Sequence, residues 1–203
     1  MSGDTYKTIQ STSSGIFKDK GSRFLSFAYP VSSTDEVKEI LEKLRKKYHD
    51  ARHQCYAYLI GNDDTLWRAN DDGEPSGTAG RPILAQIKAF EITNLLVVVI
   101  RYFGGTLLGV SGLINAYRSA ASEALTNATI LDCVIHDTYE IFFPYKIMND
   151  LMKILKEENI SQFDQKFDLE CYMKISFRVS SREKNLLKLS RVEGLRYNFG
   201  GTR

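Results

Sequence analysis

A continuous apolar run, Leu95–Ile100, contains no polar or charged residue and constrains the fold more than any other segment. Because such a run has no side for water to solvate, we predict a fully buried strand over residues 95–103, apolar on both faces. The run is far shorter than the roughly 18 apolar residues that indicate a membrane-spanning helix. It therefore predicts the centre of a folded core and gives no sign of membrane association.

Helical periodicity occurs on both sides of this strand in the sequence. Apolar residues recur at helical spacing after Thr34, which we expect to cap a first helix. A second helix should begin near Gly80, because Pro82 is tolerated only in a first helical turn. A third is predicted from Val110 to Asn127. The remaining strands are expected over residues 5–31, as two strands joined by a turn, and over residues 54–69, as a hairpin turning at residues 61–64.

The pattern changes after residue 131. Residues 169–179 alternate strictly between apolar and polar side chains, which predicts a half-buried strand. Around it we predict strands over 131–143, 159–167 and 195–199, with helices over 147–155 and 181–190. This order, β-α-β-β-α-β, is ferredoxin-like. We therefore predict an α+β protein with two packed domains, residues 1–132 and 133–203.

Composition narrows the class of protein further. The three cysteines are widely spaced and form no CxxC pair, which argues against disulfides and zinc knuckles. Cys133 and Cys171 are predicted to be core residues. The polar segment Met1–Thr12 has no apolar stretch of the kind found in secretory signals, so we expect a cytoplasmic protein. A net charge of only +2 means that any binding of nucleic acid must depend on local patches.

The first glycine-rich segment, Asp71–Arg81, places three acids before a loop of small residues that leads into a helix. Glycines let the backbone approach a ligand closely, and exposed N–H groups at a helix start attract anions. Arg81 could hold a phosphate through two hydrogen bonds. Alternatively, Ser76 or Thr78 simply caps the helix.

The second glycine-rich segment, Arg101–Gly112, has the order strand, glycine loop, helix, which is a common layout for binding phosphate. It matches neither GxxxxGK[ST] nor GxGxxG, so we predict no ATP or dinucleotide site. The competing interpretation is a strained turn with tight packing between the strand and the helix. The residues of this segment alone do not choose between the two.

If the two segments converge, their arginines and Tyr102 would offer charge and a stacking face for single-stranded nucleic acid. The basic run 43–47 would extend that surface. We expect no catalytic residue, no metal site and no cofactor. The candidate residues for an anion or nucleic-acid site are Lys46, Arg52, His53, Asp72, Glu74, Ser76, Gly77, Thr78, Gly80, Arg81, Arg101, Tyr102, Gly104 and Gly105.

Two other kinds of site remain open at this stage. His53 and Cys55 lie two apart on one strand, as in a Cys–His nucleophile or a metal site, although packing is the more ordinary explanation. The acids at 71, 72 and 74 could bind Mg²⁺ through water, or form a solvated acidic loop.

Three blocks of sequence, residues 51–58, 71–84 and 101–117, resemble the signature blocks of the IMPACT/YigZ family, in the same order. The resemblance spans residues 20–125, and Pro144-Tyr145 resembles the start of a helix in the C-terminal domain of the bacterial branch. It implies a ribosomal protein S5 domain 2-like fold for the first domain and a ferredoxin-like fold for the second. These two folds also occur side by side in the ribosome-facing end of elongation factor G. The resemblance implies no catalytic residues.

The eukaryotic IMPACT members act in the control of translation initiation. Our leading hypothesis is therefore a non-catalytic protein that binds RNA or the ribosome, involved in the regulation of translation, with a possible protein partner there. The rival hypothesis is an enzyme acting on a phosphorylated or carboxylated small molecule held between the two glycine-rich segments. A third is a protein-interaction module that offers an edge strand. An enclosed pocket would favour the enzyme, and an open basic groove would favour nucleic-acid binding.

Overall fold

The computed structural model describes residues 4–61, 66–168 and 170–202. The chain divides into two compact units. The first is Tyr6–Asp132, and the second is the described part of Met1–Thr5 and Cys133–Arg203. The chain is thus a mixed α/β protein with two units. None of its described helices is both long and apolar enough to cross a membrane.

The elements up to residue 134 follow the order β-β-β-α-β-β-α-β-α-β. The strands are β1 (Thr5–Ile9), β2 (Ser13–Asp19), β3 (Ser22–Pro30), β4 (His53–Ile60), β5 (Leu66–Asn70), β6 (Leu95–Tyr102) and β7 (Ile130–Val134). The helices are α1 (Thr34–Lys47), α2 (Gly80–Ala89) and α3 (Gly109–Thr126). The helix expected near Gly80 is confirmed, with Pro82 in its first turn.

Strand β6 is the middle strand of a five-stranded antiparallel sheet in the order β2-β3-β6-β4-β5. Its alternate residues enter two different cores. Leu95, Val97 and Val99 pack with α2 and α3, whereas Leu96, Val98 and Ile100 pack with α1. The fully buried strand predicted over residues 95–103 is confirmed from Leu95 to Arg101, because helices cover both faces of the sheet. Tyr102 is half-buried, and Phe103 lies beyond the strand and is exposed.

Two boundaries in this unit differ from the sequence prediction. Residues 5–30 form three strands and not two, because β1 pairs with the distant β7 while β2 pairs with β3. The cap of α1 is Ser33 and not Thr34: Ser33 has extended backbone and its side chain accepts a hydrogen bond from the Glu36 amide. The predicted hairpin turn lies mostly outside the described residues.

The second unit has the element order β8 (His136–Phe143), α4 (Met148–Glu157), β9 (Ser161–Phe167), β10 (Cys171–Arg178), α5 (Arg182–Leu189) and β11 (Arg196–Thr202). Its strands form an antiparallel sheet in the order β11-β8-β10-β9. The alternation predicted for β10 is confirmed from Cys171 to Arg178, while residue 169 lies outside the described residues. The long strand predicted over 131–143 is interrupted at Ile135, which separates β7 from β8.

Candidate functional site

The two glycine-rich segments meet at the end of β6, where a buried ion pair joins them. Nη1 of Arg101 donates to Oε1 of Glu74 at 2.7 Å, and the two side chains are only 7% and 4% exposed. The hydroxyl of Tyr117, on α3, donates to the same Glu74 oxygen at 2.8 Å. The expected convergence of the segments therefore exists, and its centre is a neutralised pair of charges.

A pocket of about 460 Å³ lies against this pair. Its polar and charged lining residues are Arg52 and His53, where β4 begins, together with Glu74 and Arg101. Its apolar lining residues precede α3 or lie in its first turns, namely Phe103, Leu107, Leu108, Val110 and Leu113. The pocket thus offers both hydrogen-bonding groups and apolar surface to one ligand.

Arg101 lines the pocket, and one of its donors is unsatisfied. Its Nε is buried and has no hydrogen-bond partner among the described residues. Leaving a buried donor unpaired costs free energy, so this nitrogen is a destabilising feature of the site.

The start of α3 adds further donors. Leu108 occupies the N-cap position and makes no side-chain hydrogen bond to the helix. No side chain at that position therefore satisfies the first N–H groups of this 18-residue helix, and Gly109 and Val110 line the pocket. An anionic group in the pocket would lie near the positive end of the α3 dipole.

The start of α2 is different, and here the sequence expectation was wrong. The carboxylate of Asp71 accepts hydrogen bonds from the amides of Gly77, Ala79 and Gly80 at 2.8, 3.0 and 2.8 Å. Asp71 therefore caps α2 from eight residues before the N-cap position, Ala79, so these amides are not free for an external anion.

Other predicted residues of the first segment have structural roles. A Cβ on Gly80 would come within 2.5 Å of the Asn70 backbone nitrogen, so this glycine permits close packing. The Thr78 hydroxyl donates to the Pro75 carbonyl at 2.6 Å, while Ser76 is exposed. Arg81 is exposed and does not line the pocket.

Asp72 anchors the first segment to β4 and is not among the residues that line the pocket. Its carboxylate accepts from the Gln54 amide at 2.8 Å and from Arg45 at 3.3 Å. Its carbonyl oxygen lies 2.7 Å from Nδ1 of His53. The described residues include no group of three or more His, Cys, Asp or Glu side chains placed to hold a metal.

The second segment also divides into packing and pocket residues. A Cβ on Gly104 would lie 1.9 Å from the carbonyl carbon of Gly21, so only glycine fits there. Gly105 has a φ of +86° and open space around it. Tyr102 lies outside the pocket, where its hydroxyl donates to Asp50 at 2.9 Å. Lys46 is exposed in the last turn of α1, also away from the pocket.

The Cys–His nucleophile is not supported by the environment of Cys55. Burial raises the pKa of the Cys55 thiol, whose sulfur lies 2.9 Å from the Asp71 carbonyl oxygen and 3.3 Å from the Tyr117 hydroxyl. Burial also raises the pKa of Tyr117. Both groups are neutral, and their contact joins β4 to α3. Cys171 is buried as predicted, whereas Cys133 is only half-buried.

Of the predicted residues, the structure brings Arg52, His53, Glu74 and Arg101 together in one pocket. Sequence reasoning missed the apolar residues that line this pocket. Phe103, Leu107 and Val110 are 48%, 82% and 59% exposed, and large apolar residues beside a glycine loop were the available signal. Tyr117 lies in the predicted third helix, and nothing in the sequence indicates a role for its hydroxyl.

Fold and site together define a mixed α/β protein of two units, with a pocket lined by polar and apolar residues in its first unit. The model of the Impact N-terminal domain family matches residues 20–125, which include every residue of the pocket. The chain belongs to this IMPACT/YigZ family, which confirms the resemblance of its sequence blocks.

Similar proteins include two bacterial relatives. The IMPACT family member YvyE of Bacillus subtilis (strain 168) is 36% identical over 165 residues, covering 78% of this chain and 76% of that protein. The IMPACT family member YigZ of Escherichia coli (strain K12) is 39% identical over 112 residues, so the match covers about half of each chain (54% and 55%). A crystal structure of a hypothetical protein superimposes with a TM-score of 0.72 at 25% identity, over 96% of both chains.

Proposed function

We propose that this protein takes part in the regulation of translation by binding RNA, including RNA of the ribosome, without catalysing a reaction. The observation that carries the proposal is the pocket lined by both polar and large apolar side chains, which suits a single unpaired nucleotide. Membership of the IMPACT family supports the role in translation, since the sequence resemblance implies such a role.

The polar and the apolar residues of the pocket would contact different parts of a nucleotide. The base would lie against Phe103, Leu107 and Val110, which are large, apolar and exposed. Phosphate or ribose oxygens would face Arg52 and the start of α3, where no N-cap side chain bonds to the first amides. Arg81 and Lys46, both exposed, would contact phosphates outside the pocket.

The fold assignments that the family implies belong to the same proposal. We assign residues 1–132 to an S5 domain 2-like domain and residues 133–203 to a ferredoxin-like domain. The element order β8-α4-β9-β10-α5-β11 and the sheet order β11-β8-β10-β9 support the second assignment. Domains of these kinds suit a cytoplasmic protein that acts at the ribosome, with a protein partner in translation control.

The test is binding of the full chain to labelled single-stranded and structured RNA across a series of salt concentrations. We expect affinity to fall steeply with salt. Arg52→Ala should weaken binding to all sequences and lower the salt slope by about one. Leu107→Ser should weaken binding without changing the salt slope, because it removes only apolar contact.

Matched controls exist in the same unit. Arg68 is an exposed arginine on β5, and Ile16 is a 59% exposed apolar residue on β2; neither lines the pocket. Arg68→Ala and Ile16→Ser should bind RNA like the wild type. Wild-type affinity in a folded Arg52→Ala/Leu107→Ser double variant would show that the pocket is not the RNA-binding site.

A second candidate function is an enzyme that acts on a phosphorylated or carboxylated small molecule. It is favoured by one observation: the pocket is formed by both glycine-rich segments and contains the buried carboxylate of Glu74. Mononucleotides, sugar phosphates and carboxylates would be screened for a rise in melting temperature, then for turnover. Turnover by the wild type that is lost in a folded Glu74→Gln variant would favour the enzyme over the RNA-binding protein.

A further inference from the structure

A row of four side chains crosses the sheet of the second unit. Arg196 of β11 pairs in register with Phe142 of β8, Phe142 pairs with Tyr172 of β10, and Tyr172 pairs with Lys166 of β9. Residues directly opposite each other on antiparallel strands project from the same face. Across the four strands, the row therefore consists of two aromatic residues with a cation at each end.

This face is the one opposite the core. The sequence neighbours of the two aromatic residues, Ile141, Phe143, Cys171 and Met173, are fully buried in the core that includes α4 and α5. Side chains alternate between faces along a strand, so Phe142 and Tyr172 project from the other side. Both are half-buried, whereas Arg196 and Lys166 are exposed.

The two aromatic rings lie next to each other on this face, tilted relative to one another. The rings of Phe142 and Tyr172 lie 5.2 Å apart between centroids, at an interplanar angle of 52°. The guanidinium of Arg196 lies 5.9 Å from the centroid of the Phe142 ring. The Tyr172 hydroxyl donates to Glu140 on the neighbouring strand at 3.0 Å, which holds that ring in place.

The charges of the face suit a chain that carries phosphates beside flat bases. Lys166 makes no ion pair within the described part of the chain, and Arg196 forms an ion pair with Glu170 in which both side chains are exposed. Such an exposed pair is weak and exchanges readily for a phosphate. Glu140 and the Lys174–Asp164 pair keep the rest of the face close to neutral, so stacking must supply most of the affinity.

The width of the sheet face also suits a short stretch of single-stranded RNA. Adjacent strands lie about 4.8 Å apart, so the row spans roughly 14 Å from β11 to β9. Four-stranded sheets that bind RNA stack bases on aromatic residues of their sheet face. Here the aromatic residues are on β8 and β10, the two central strands of the sheet.

We propose that this face binds single-stranded RNA, with two adjacent bases stacked on Phe142 and Tyr172 and the backbone phosphates at Arg196 and Lys166. The inference rests on the proposed function, in that RNA is the partner, and it adds a contact surface in the second unit. This surface shares no residue with the pocket.

The experiment measures binding of the full chain to a fluorescein-labelled ten-nucleotide single-stranded RNA and to a duplex of the same length. Phe142→Leu and Tyr172→Leu keep apolar volume but remove the stacking face. Each should weaken single-strand binding about tenfold, with the salt slope unchanged. Phe142→Trp keeps an aromatic ring and should bind RNA like the wild type, in contrast to Phe142→Leu. Lys166→Ala should reduce the salt slope by about one.

Tyr145→Leu is the matched control, because Tyr145 is 70% exposed in the same unit but lies outside the sheet. It should bind like the wild type, and the duplex should bind more weakly than the single strand. Wild-type affinity in both leucine variants, with RNA binding still lost in Arg52→Ala, would overturn this inference and leave the proposed function intact. Absence of RNA binding by the wild type would overturn both.

Discussion

Arg101 and Glu74 form a buried ion pair, with the Tyr117 hydroxyl donating to the same carboxylate oxygen. Removing two charges from water is costly, and their attraction offsets that cost only while both are present. The pair also lies over aromatic surface, since the Arg101 guanidinium is 5.6 Å from the ring centroids of Phe24 and Phe103. At the residue scale, the candidate site therefore also stabilises the fold.

Glu74→Ala should lower the free energy of unfolding by about 3 to 5 kcal/mol, because it leaves the Arg101 charge buried without a partner. Urea denaturation measures this loss. The double variant Glu74→Ala/Arg101→Met should be more stable than Glu74→Ala alone, since the uncompensated charge is gone. Strictly additive losses would show that the two side chains do not interact.

The raised pKa values of Cys55 and Tyr117 predict a loss of stability at high pH. In the unfolded chain these groups release protons near their ordinary pKa values of 9.0 and 10.0, whereas burial keeps both protonated in the folded state. Above about pH 9 the unfolded state therefore binds fewer protons, and stability falls as pH rises. Melting temperatures from about pH 7 to 10.5 should show this decline. The decline should be shallower in Cys55→Ala, and an unchanged slope in that variant would contradict the assignment.

At the scale of elements, the starts of α2 and α3 differ in how their amides are satisfied. The Asp71 carboxylate occupies amides at the start of α2, whereas no side chain at the N-cap position serves α3. Both helices follow a glycine-rich segment, so the sequences look alike. The difference decides which helix can receive a ligand's anion, and only α3 begins at the pocket.

Asp71→Ala should destabilise the protein by about 1 to 2 kcal/mol, because three amides lose their acceptor. Asp35→Ala is the comparison: Asp35 is an exposed acid in the first turn of α1 whose partner Lys38 is also exposed, so its loss should cost less. Chemical denaturation of both variants gives the difference. Equal losses would mean that Asp71 does not cap α2.

Gly104 and Gly105 should respond differently to alanine. At Gly104 the added Cβ meets the Gly21 backbone at 1.9 Å, so the loop must shift, at a cost of about 1 to 3 kcal/mol or more. At Gly105 there is open space, and the cost is the backbone strain of a φ of +86°, about 1 to 2 kcal/mol. Thermal melting distinguishes the two, and a larger loss at Gly105 would contradict the packing role of Gly104.

At the scale of the whole molecule, the two units have separate hydrophobic cores. Ile83 lies in a core of the first unit and Ile141 in that of the second, and both are fully buried. The one tryptophan of the chain, Trp67, lies on β5 in the first unit. Its fluorescence therefore reports on one unit, while circular dichroism reports on both.

Ile141→Ala should cost its own unit about 2 to 5 kcal/mol. The circular dichroism transition in urea should then begin at a lower concentration than the Trp67 fluorescence transition. Ile83→Ala should instead move the Trp67 transition to lower urea. Coincident transitions in both variants would show that the chain unfolds as one cooperative unit.

The elements that could be predicted are those with strong local patterns. The apolar run 95–100, the first-turn proline of α2 and the alternation of β10 each restrict the backbone through nearby residues, and each prediction is confirmed. The break between β7 and β8 could not be predicted, because β7 pairs with β1, more than 120 residues earlier in the chain. Nothing local at Ile135 indicates that distant partner.

The candidate site shows the same contrast between features that local patterns predict and features that depend on distant contacts. By itself the sequence determined that two glycine-rich segments would each precede a helix, since glycine, proline and periodicity act over a few residues. Only the tertiary structure decided which groups face a ligand. It places the Asp71 carboxylate on the amides of α2, closes Arg101 onto Glu74, and leaves the start of α3 open beside Leu107 and Val110. These outcomes depend on distances between residues far apart in the chain, which packing alone sets.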